Sequence, residues 1–169
     1  MGTEIERKFL LRDDSWRKEV TKSTVFQQRY LPFAGPSSGS GRVRIAGDKA
    51  FLTLKSPVKG FSRSEFEYEI PVPDAEEVIQ QICTGASIQK TRHLVPYEGF
   101  LWEIDEFAGE NAGLIVAEIE LDSEDRAFPL PPWIGEEVTG DPRYFNSVLA
   151  EHPFSTWKEQ KFQSSGGIS

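Results

Sequence analysis

Apolar and polar residues alternate along much of the chain up to residue 122, with the period of a strand that has one buried face. The alternation predicts eight strands, mostly antiparallel, at about residues 3–11, 25–32, 42–46, 50–55, 63–71, 88–95, 100–107 and 113–122. Helical spacing is confined to three short segments near residues 14–16, 74–84 and 141–152, for which the expected caps are Asp13 or Asp14, Asp74 and Asp141. The pattern predicts one α+β domain, mainly antiparallel β, over residues 1–152, followed by a flexible tail at 153–169.

Composition narrows the class of protein. Nineteen Lys and Arg against twenty-seven Asp and Glu give a net charge of −8, which disfavours nucleic acid or an anionic membrane as the partner. The single cysteine, Cys83, cannot form an internal disulfide and indicates a reducing compartment. The longest apolar stretch, residues 114–117, is far shorter than the roughly 20 residues that cross a bilayer. We therefore expect a cytoplasmic protein.

Common catalytic motifs are missing from the sequence. It has no phosphate-binding GxxxxGK, no GxGxxG after a strand, no HExxH and no EF-hand loop. Ser37 fits the letters of GxSxG but lies in a Gly/Ser/Pro loop at residues 35–41, not in a strand-to-helix turn. The two histidines, His93 and His152, are expected to be surface or packing residues.

Ionisable residues occupy alternate positions on the predicted strands, so that each set points to one face. The sets are Glu4, Glu6 and Lys8; Arg42 and Arg44; Lys55; Arg63, Glu65 and Glu67; Lys90 and Arg92; Glu103 and Asp105; and Glu118 and Glu120. A single pair of this kind usually belongs to a solvated face. Several doublets of one sign suit ligands of opposite charge instead, carboxylates for divalent cations and Lys or Arg for phosphate oxygens.

The charges balance if these faces line one lumen. Its seven basic and eight acidic residues, together with two divalent cations, would carry three positive charges, close to the roughly four negative charges of a triphosphate. Without metal, the carboxylates Glu4, Glu6, Glu118 and Glu120 should repel one another. Neutralising one of them, as in Glu118→Gln, is then expected to leave the metal-free protein at least as stable.

The segment ExExK at Glu4, Glu6 and Lys8 resembles the N-terminal signature of the CYTH domain of the triphosphate tunnel metalloenzymes. Further similar segments follow in order: Gln28-x-Tyr30, Arg42-x-Arg44, Thr53-x-Lys55, Arg63-x-Glu65-x-Glu67, Lys90-x-Arg92, Glu103-x-Asp105, Glu118-x-Glu120, Trp133-x-Gly135 and Arg143-Tyr144-x-Asn146. The resemblance covers about residues 3–150, is greatest to the short bacterial inorganic triphosphatase branch, and departs from it in the length of the loop at 35–41. It implies an eight-stranded closed β-barrel, the triphosphate tunnel, with a few peripheral helices.

The resemblance also implies roles for the charged residues. Substrate binding falls to Lys8, Arg42, Arg44, Lys55, Arg63, Lys90 and Arg92. Metal binding falls to Glu4, Glu6, Glu67, Asp105, Glu118 and Glu120, and catalysis to Glu4, Glu118 and Lys8. An ion-pairing role that only orients the cations is equally open for Glu65, Glu69 and Glu103. Pairing with Glu65 is the alternative to phosphate binding for Arg63. Three aromatic residues are expected to pack in the core: Trp102, Trp133 and Tyr144.

The activity implied by the resemblance is hydrolysis of a phosphoanhydride bond of inorganic triphosphate with Mg²⁺ or Mn²⁺. One ion would clamp the phosphates and a second would activate water, with no covalent intermediate. The partner is a small-molecule triphosphate, with no nucleic acid or membrane, and the oligomeric state is open. Nucleoside triphosphate hydrolysis, adenylate cyclase of the class IV type and thiamine triphosphatase are alternatives on the same tunnel, and a non-catalytic polyphosphate-binding module is a further one.

Overall fold

The computed structural model describes residues 2–33, 36–60 and 62–157. The strands in these ranges are β1 (Gly2–Leu11), β2 (Lys22–Tyr30), β3 (Ser40–Ala46), β4 (Lys49–Lys55), β5 (Ser62–Ile70), β6 (Thr84–Tyr97), β7 (Phe100–Phe107), β8 (Ile115–Glu120) and β9 (Ile134–Glu137). The α-helices are α1 (Val72–Gln81) and α2 (Asn146–Leu149). Single turns of 3-10 helix lie at Ser15–Glu19, Pro36–Ser38, Gly109–Asn111, Pro142–Tyr144 and Phe154–Trp157.

Eight strands close into an antiparallel barrel, in the order β1-β5-β4-β3-β2-β6-β7-β8 and back to β1. Strand β1 closes it because residues 2–5 pair with β5 and residues 6–10 pair with β8. The predicted closed eight-stranded barrel with a few helices is therefore confirmed. The short β9 was not predicted; it pairs with β1 near Phe9 and Leu11, along the edge that β5 leaves free.

Two predicted helices differ in detail from those observed. Helix α1 begins at Val72 after Pro71, so Asp74 lies inside its first turn and does not cap it. The third predicted helix is divided, because the backbone of Phe145 is extended (φ −68°, ψ 130°) between the 3-10 turn at Pro142–Tyr144 and α2. Asp141 does cap that turn, since its Oδ1 accepts a hydrogen bond from the backbone N–H of Arg143 at 3.1 Å.

The predicted tail at 153–169 is only partly within the described residues, since 158–169 lie outside them. Its first part forms the 3-10 turn at Phe154–Trp157, and the backbone N–H of Phe154 donates to Asn111 Oδ1 at 2.7 Å. The division into a domain at 1–152 and a tail stays a prediction. Among the described residues, no helix has the length and apolar character needed to cross a membrane.

The apolar core lies outside the barrel and at one end of it. The outward faces of β1, β6, β7 and β8 bury one cluster that includes Trp102 and Trp133. Helix α1 covers the outside of β3 and β4 with Ala75 and Ile79. A third cluster, with Tyr144 and Leu149 of the divided helix, packs against lumen-facing residues of β6, β7 and β8. The middle of the lumen is left to polar side chains.

Candidate active site

A cavity of about 310 Å³ inside the barrel is lined almost entirely by charged side chains. The seven cations are Lys8, Arg42, Arg44, Lys55, Arg63, Lys90 and Arg92, and the seven carboxylates are Glu4, Glu6, Glu65, Glu67, Glu103, Glu118 and Glu120. The structure thus brings together all seven predicted substrate-binding residues and five of the six predicted metal ligands. Asp105 is the exception, because it lies behind this lining and is fully buried.

Both carboxylate oxygens of Asp105 accept hydrogen bonds from cations of β6. Asp105 accepts hydrogen bonds from Lys90 Nζ at 2.6 Å and from Arg92 Nε at 2.8 Å. Burial would raise the pKa of Asp105, but the charges of Arg92 and Lys90 outweigh it and lower that pKa. Burial, helped by Arg92, lowers the pKa of Lys90 to about 7. These three residues form a buried, hydrogen-bonded group, which we call the β6–β7 triad.

The cations of β3 have far fewer anionic partners. Within the described residues Arg44 makes no ion pair; its Nε donates to the neutral Gln28 Oε1 at 2.8 Å. Burial, with repulsion from Arg42 and Arg92, lowers the pKa of Arg44 to about 9. In the same part of the chain, the buried Nε of Arg42 has no hydrogen-bond partner. Arg42 makes a long ion pair with Glu67, at 4.0 Å, and also donates to Thr53 Oγ1 at 3.3 Å. The positive charge of these two guanidinium groups is therefore only weakly compensated before an anion enters the lumen.

Four carboxylates face one another on β1 and β8: Glu4, Glu6, Glu118 and Glu120, which we call the β1–β8 carboxylates. Glu6 lies opposite Glu120 in the strand register, so two like charges are neighbours. Burial and the charges of Glu118 and Glu4 raise the pKa of Glu6 well above its usual range. Burial and the charges of Glu4 and Glu103 raise the pKa of Glu120 in the same direction.

The other two β1–β8 carboxylates have cationic neighbours. Glu4 accepts hydrogen bonds from Lys55 Nζ at 2.9 Å and from Arg63 Nε at 2.8 Å. Although burial raises the pKa of Glu4, these cations bring it down to about 2. The charges of Lys8 and Arg92 likewise outweigh burial at Glu118 and lower its pKa. Both carboxylates are therefore ionised at neutral pH.

The donor chemistry of the β1–β8 carboxylates fits a divalent cation such as Mg²⁺ or Mn²⁺. Carboxylate oxygens are the hard ligands that these ions prefer, and a cation would relieve the repulsion that raises the pKa values of Glu6 and Glu120. Among the described residues, no three Asp, Glu, His or Cys side chains are already grouped as a metal site. Some of the carboxylates are instead turned towards basic side chains of the lumen, as in the ion pair of Glu4 with Lys55 at 2.9 Å.

Sequence reasoning assigned no site role to the segment that breaks the third helix. Phe145, Asn146 and Ser147 line the lumen, together with Tyr30 and Ser40. Lys8 Nζ donates to the backbone oxygen of Tyr144 at 3.3 Å and lies 5.6 Å from the centre of the Phe145 ring. A pattern resembling the family, Arg143-Tyr144-x-Asn146, was the one sequence feature that marked this segment.

A second cavity of about 580 Å³ adjoins the lumen at one mouth, since Tyr30, Ser40, Arg63, Phe145 and Ser147 line both. Phe33, Val58 and Val148 give it apolar walls. Ser37 also lines it, on the 3-10 turn at Pro36–Ser38.

The two histidines lie away from the charged lumen. His93 packs against Trp16 on the outside of the barrel, with its ring nitrogens 2.7 Å from Ser23 Oγ and 3.1 Å from Glu106 Oε1. Arg17 also binds Glu106 through two hydrogen bonds, at 2.9 and 3.0 Å. His152 lines the wall of the adjoining apolar cavity.

Together the closed antiparallel barrel and its lumen of opposed cations and carboxylates define a class of tunnel protein suited to a compact polyanion and a hard cation. The chain belongs to the CYTH domain family, whose model matches residues 2–145.

Two relatives carry the same name. The chain is 48% identical to an inorganic triphosphatase of Acetivibrio thermocellus over 159 residues, which covers 94% of this chain and 100% of that protein. It is 41% identical to an inorganic triphosphatase of Nitrosomonas europaea over 152 residues, which covers 88% of this chain and 97% of that protein.

Solved structures agree with this fold. The crystal structure of the inorganic triphosphatase NE1496 superimposes with a TM-score of 0.62 at 39% identity, covering 89% of this chain and 95% of that one. A Hippeastrum protein described as a putative adenylyl cyclase with dominant triphosphatase activity shares the fold, with a TM-score of 0.56 at 20% identity over 71% of this chain and 80% of that one.

Proposed function

We propose that this chain is a hydrolase that cleaves a phosphoanhydride bond of inorganic triphosphate in the barrel lumen, with Mg²⁺ or Mn²⁺ bound. The observation that carries the proposal is the weakly compensated positive charge of Arg42 and Arg44, which together make a single ion pair within the described residues, at 4.0 Å, in a lumen that also holds repelling carboxylates. A triphosphate would supply negative charge for these arginines, and a divalent ion would supply positive charge for the carboxylates. The triphosphatase relatives at 48% and 41% identity support the same conclusion.

The cations of the lumen bind and orient the phosphate oxygens. We assign this role to the seven predicted residues: Lys8, Arg42, Arg44, Lys55, Arg63, Lys90 and Arg92. Charge-assisted hydrogen bonds from several strands would hold the chain of phosphates along the lumen and offset negative charge on its oxygens. Lys8 also belongs to the catalytic group, because it lies opposite Glu118 across β1 and β8.

The carboxylates have two roles, metal binding and orientation of the cations. We assign metal binding to Glu4, Glu6, Glu118 and Glu120, with Glu67 in support. Asp105 orients Lys90 and Arg92 and is left out of the ligand set. A bound divalent ion would offset charge on the phosphate oxygens and make a water molecule a stronger nucleophile.

We assign proton transfer from the attacking water to Glu4 or Glu118. Both carboxylates are ionised at neutral pH and can therefore accept a proton, because neighbouring cations lower their pKa values. Glu6 shares a hydrogen bond with Glu118 and holds that carboxylate in place.

The test is phosphate release from tripolyphosphate, ATP, thiamine triphosphate and pyrophosphate, each with Mg²⁺, with Mn²⁺ and with excess chelator. We expect metal-dependent turnover of tripolyphosphate, faster than that of pyrophosphate, because the cations extend over several strands. Glu118→Gln should lower kcat by orders of magnitude, whereas Arg44→Ala should also raise KM. Activity that persists in chelator, or a panel in which tripolyphosphate is not hydrolysed, would contradict the proposal.

A second candidate substrate is a triphosphate that carries an organic group. The apolar cavity at the mouth favours it, since Phe33, Val58 and Phe145 could cover a ring while the phosphates enter the lumen. Product analysis with ATP separates the possible reactions: ADP and phosphate indicate hydrolysis, whereas cyclic AMP and pyrophosphate indicate a cyclase. Binding without turnover in saturating metal would indicate a polyphosphate-binding module.

A further inference from the structure

Strand β2 is neutral where it faces the lumen, although it runs between the two most cationic strands. Strand β3 on one side carries Arg42 and Arg44, and β6 on the other carries Lys90 and Arg92. The lumen-facing residues of β2 in this region are Phe26, Gln28 and Tyr30. Three neutral side chains of β2 therefore lie between four cations of the neighbouring strands.

Two amide side chains link the cations of the neighbouring strands. Arg44 Nε donates to Gln28 Oε1 at 2.8 Å, and Gln28 Nε2 donates to Asn146 Oδ1 at 3.1 Å and to the Tyr30 hydroxyl at 3.0 Å. The same Asn146 Oδ1 accepts a hydrogen bond from Lys90 Nζ at 2.7 Å. Gln28 has no exposed surface, so this network fixes the orientation of buried groups.

The ring of Phe26 completes the support from β2. Its centre lies 4.5 Å from the Arg44 guanidinium carbon, 5.0 Å from that of Arg92 and 5.9 Å from Lys90 Nζ. An aromatic face attracts cations without carrying a negative charge. Phe26 and Gln28 therefore hold the cations in place from the same strand.

Amide groups differ from carboxylates in what they leave for a ligand. A carboxylate beside Arg44 would form an internal ion pair, and an incoming phosphate would have to compete with it. The amide oxygen of Gln28 orients Arg44 but leaves its full charge available, and Arg44 makes no ion pair within the described residues. Asn146 likewise adds no negative charge: its amide oxygen accepts a hydrogen bond from Lys90, whose ion-pair partner is Asp105.

We infer that Gln28 and Asn146 are positioning residues for phosphate binding. Gln28 orients Arg44 without pairing its positive charge, and Asn146 holds Gln28 and Lys90 without adding a negative charge to the lumen. The inference rests on the proposed function, because it takes the lumen to be a polyphosphate site. It assigns a role to two neutral residues for which neither the charge pattern nor the ion pairs give one.

The decisive variant is Gln28→Glu, tested by calorimetric titration of tripolyphosphate in metal-free buffer. Glu at this position keeps the size and the acceptor for Arg44, adds a negative charge among cations, and loses the donor to Asn146. We expect the Kd to rise by about tenfold or more, while the melting temperature changes little, because pairing of the new carboxylate with Arg44 offsets the lost hydrogen bond. Asn146→Asp, beside Lys90, should behave in the same way.

Gln28→Met separates orientation from charge. It removes all three hydrogen bonds of the Gln28 amide and leaves the lumen charge unchanged, so we expect the Kd to rise by about threefold to tenfold. Gln27→Glu is the matched control: it adds the same charge one residue earlier on β2, where the side chain points to the outer face. Its Kd should equal that of the wild type.

The outcomes distinguish the inference from the proposed function. If the wild type does not bind tripolyphosphate, the proposed function is wrong. If the wild type binds but Gln28→Glu and Asn146→Asp bind as tightly, the inference alone is wrong. If all Gln28 variants lose both affinity and melting temperature, Gln28 is a packing residue and the inference is also wrong.

Discussion

The β6–β7 triad and the β1–β8 carboxylates lie in the same barrel, are built from the same alternating pattern, and differ in how their charges are compensated. In the triad, Asp105 contacts Lys90 at 2.6 Å and Arg92 at 2.8 Å, so this carboxylate has cationic partners without a ligand. Among the β1–β8 carboxylates, Glu6 lies opposite Glu120, and both have raised pKa values.

The difference separates a carboxylate that orients cations of the lumen, Asp105, from carboxylates that repel their carboxylate neighbours, Glu6 and Glu120. Removing one partner of a buried ion pair leaves the other charge buried and uncompensated, so a substitution in the triad should lower the stability of the fold. Carboxylates that repel one another cost stability until a cation joins them. We therefore predict opposite effects on stability when Asp105 and Glu6 are neutralised.

The largest effect is expected from Asp105→Asn. It leaves Lys90 and Arg92 buried without their shared counter-ion, a loss of about 3–5 kcal/mol. Thermal unfolding of the metal-free protein measures it. Glu103→Gln is the control on the same strand, because Glu103 is partly exposed and lies 3.4 Å from Arg92 at its Oε1. Equal and small losses for both variants would show that the triad is not a structural unit.

A smaller effect of opposite sign is expected within the β1–β8 carboxylates. Glu6→Gln should stabilise the metal-free protein, because it removes the carboxylate whose ionised form burial and Glu118 disfavour. Glu118→Gln should destabilise it by about 1–3 kcal/mol, since Lys8 and Arg92 lose a partner. This replaces the sequence-based expectation that neutralising Glu118 leaves stability unchanged or higher. Denaturant unfolding of both variants checks the order, which would be reversed if that expectation were right.

The smallest effect is a pH dependence. The folded protein holds the proton of Glu6 above pH 4.5, where the unfolded chain releases it, so this residue makes stability fall as pH rises from 4.5 through its raised pKa. The cost is about 1.4 kcal/mol for each unit of the rise. Asp105 acts oppositely: its stabilisation is present above pH 3.8 and is lost as pH falls through its lowered pKa.

Melting curves of the wild type and Glu6→Gln between pH 5 and pH 8 measure this difference. We expect the advantage of the variant to be larger at pH 8 than at pH 5. An advantage that does not change with pH would show that the proton of Glu6 is not linked to folding.

Much of this architecture could be predicted from the sequence. The period of two gave the barrel strands, and the ordered charged doublets gave the residues that line the lumen. The division of the charges could not be read in the same way, because Glu103-x-Asp105 and Glu118-x-Glu120 have the same pattern. Which carboxylate meets a cation depends on the cross-strand register, as when Arg92 lies opposite Asp105.

The roles of the neutral residues Gln28 and Asn146 also could not be predicted from the alternation of charged and apolar residues. Gln28 and Asn146 carry no charge, and they meet only because the helix breaks at Phe145 and α2 packs against the barrel. Strand β9, with four residues, was too short to stand out as a strand. Binding roles of individual residues, the choice between Mg²⁺ and Mn²⁺, and a cytoplasmic location stay predictions.

The most direct test of the central claim is the melting temperature of the metal-free wild type with and without tripolyphosphate. At about a hundredfold excess over the Kd, binding to the folded state alone adds about 2.7 kcal/mol. For a domain of this size that corresponds to a rise of about 5–11 °C. The account predicts this rise, and a smaller one for Arg44→Ala. A shift below about 1 °C at saturating tripolyphosphate would contradict the claim that the lumen is a polyphosphate site.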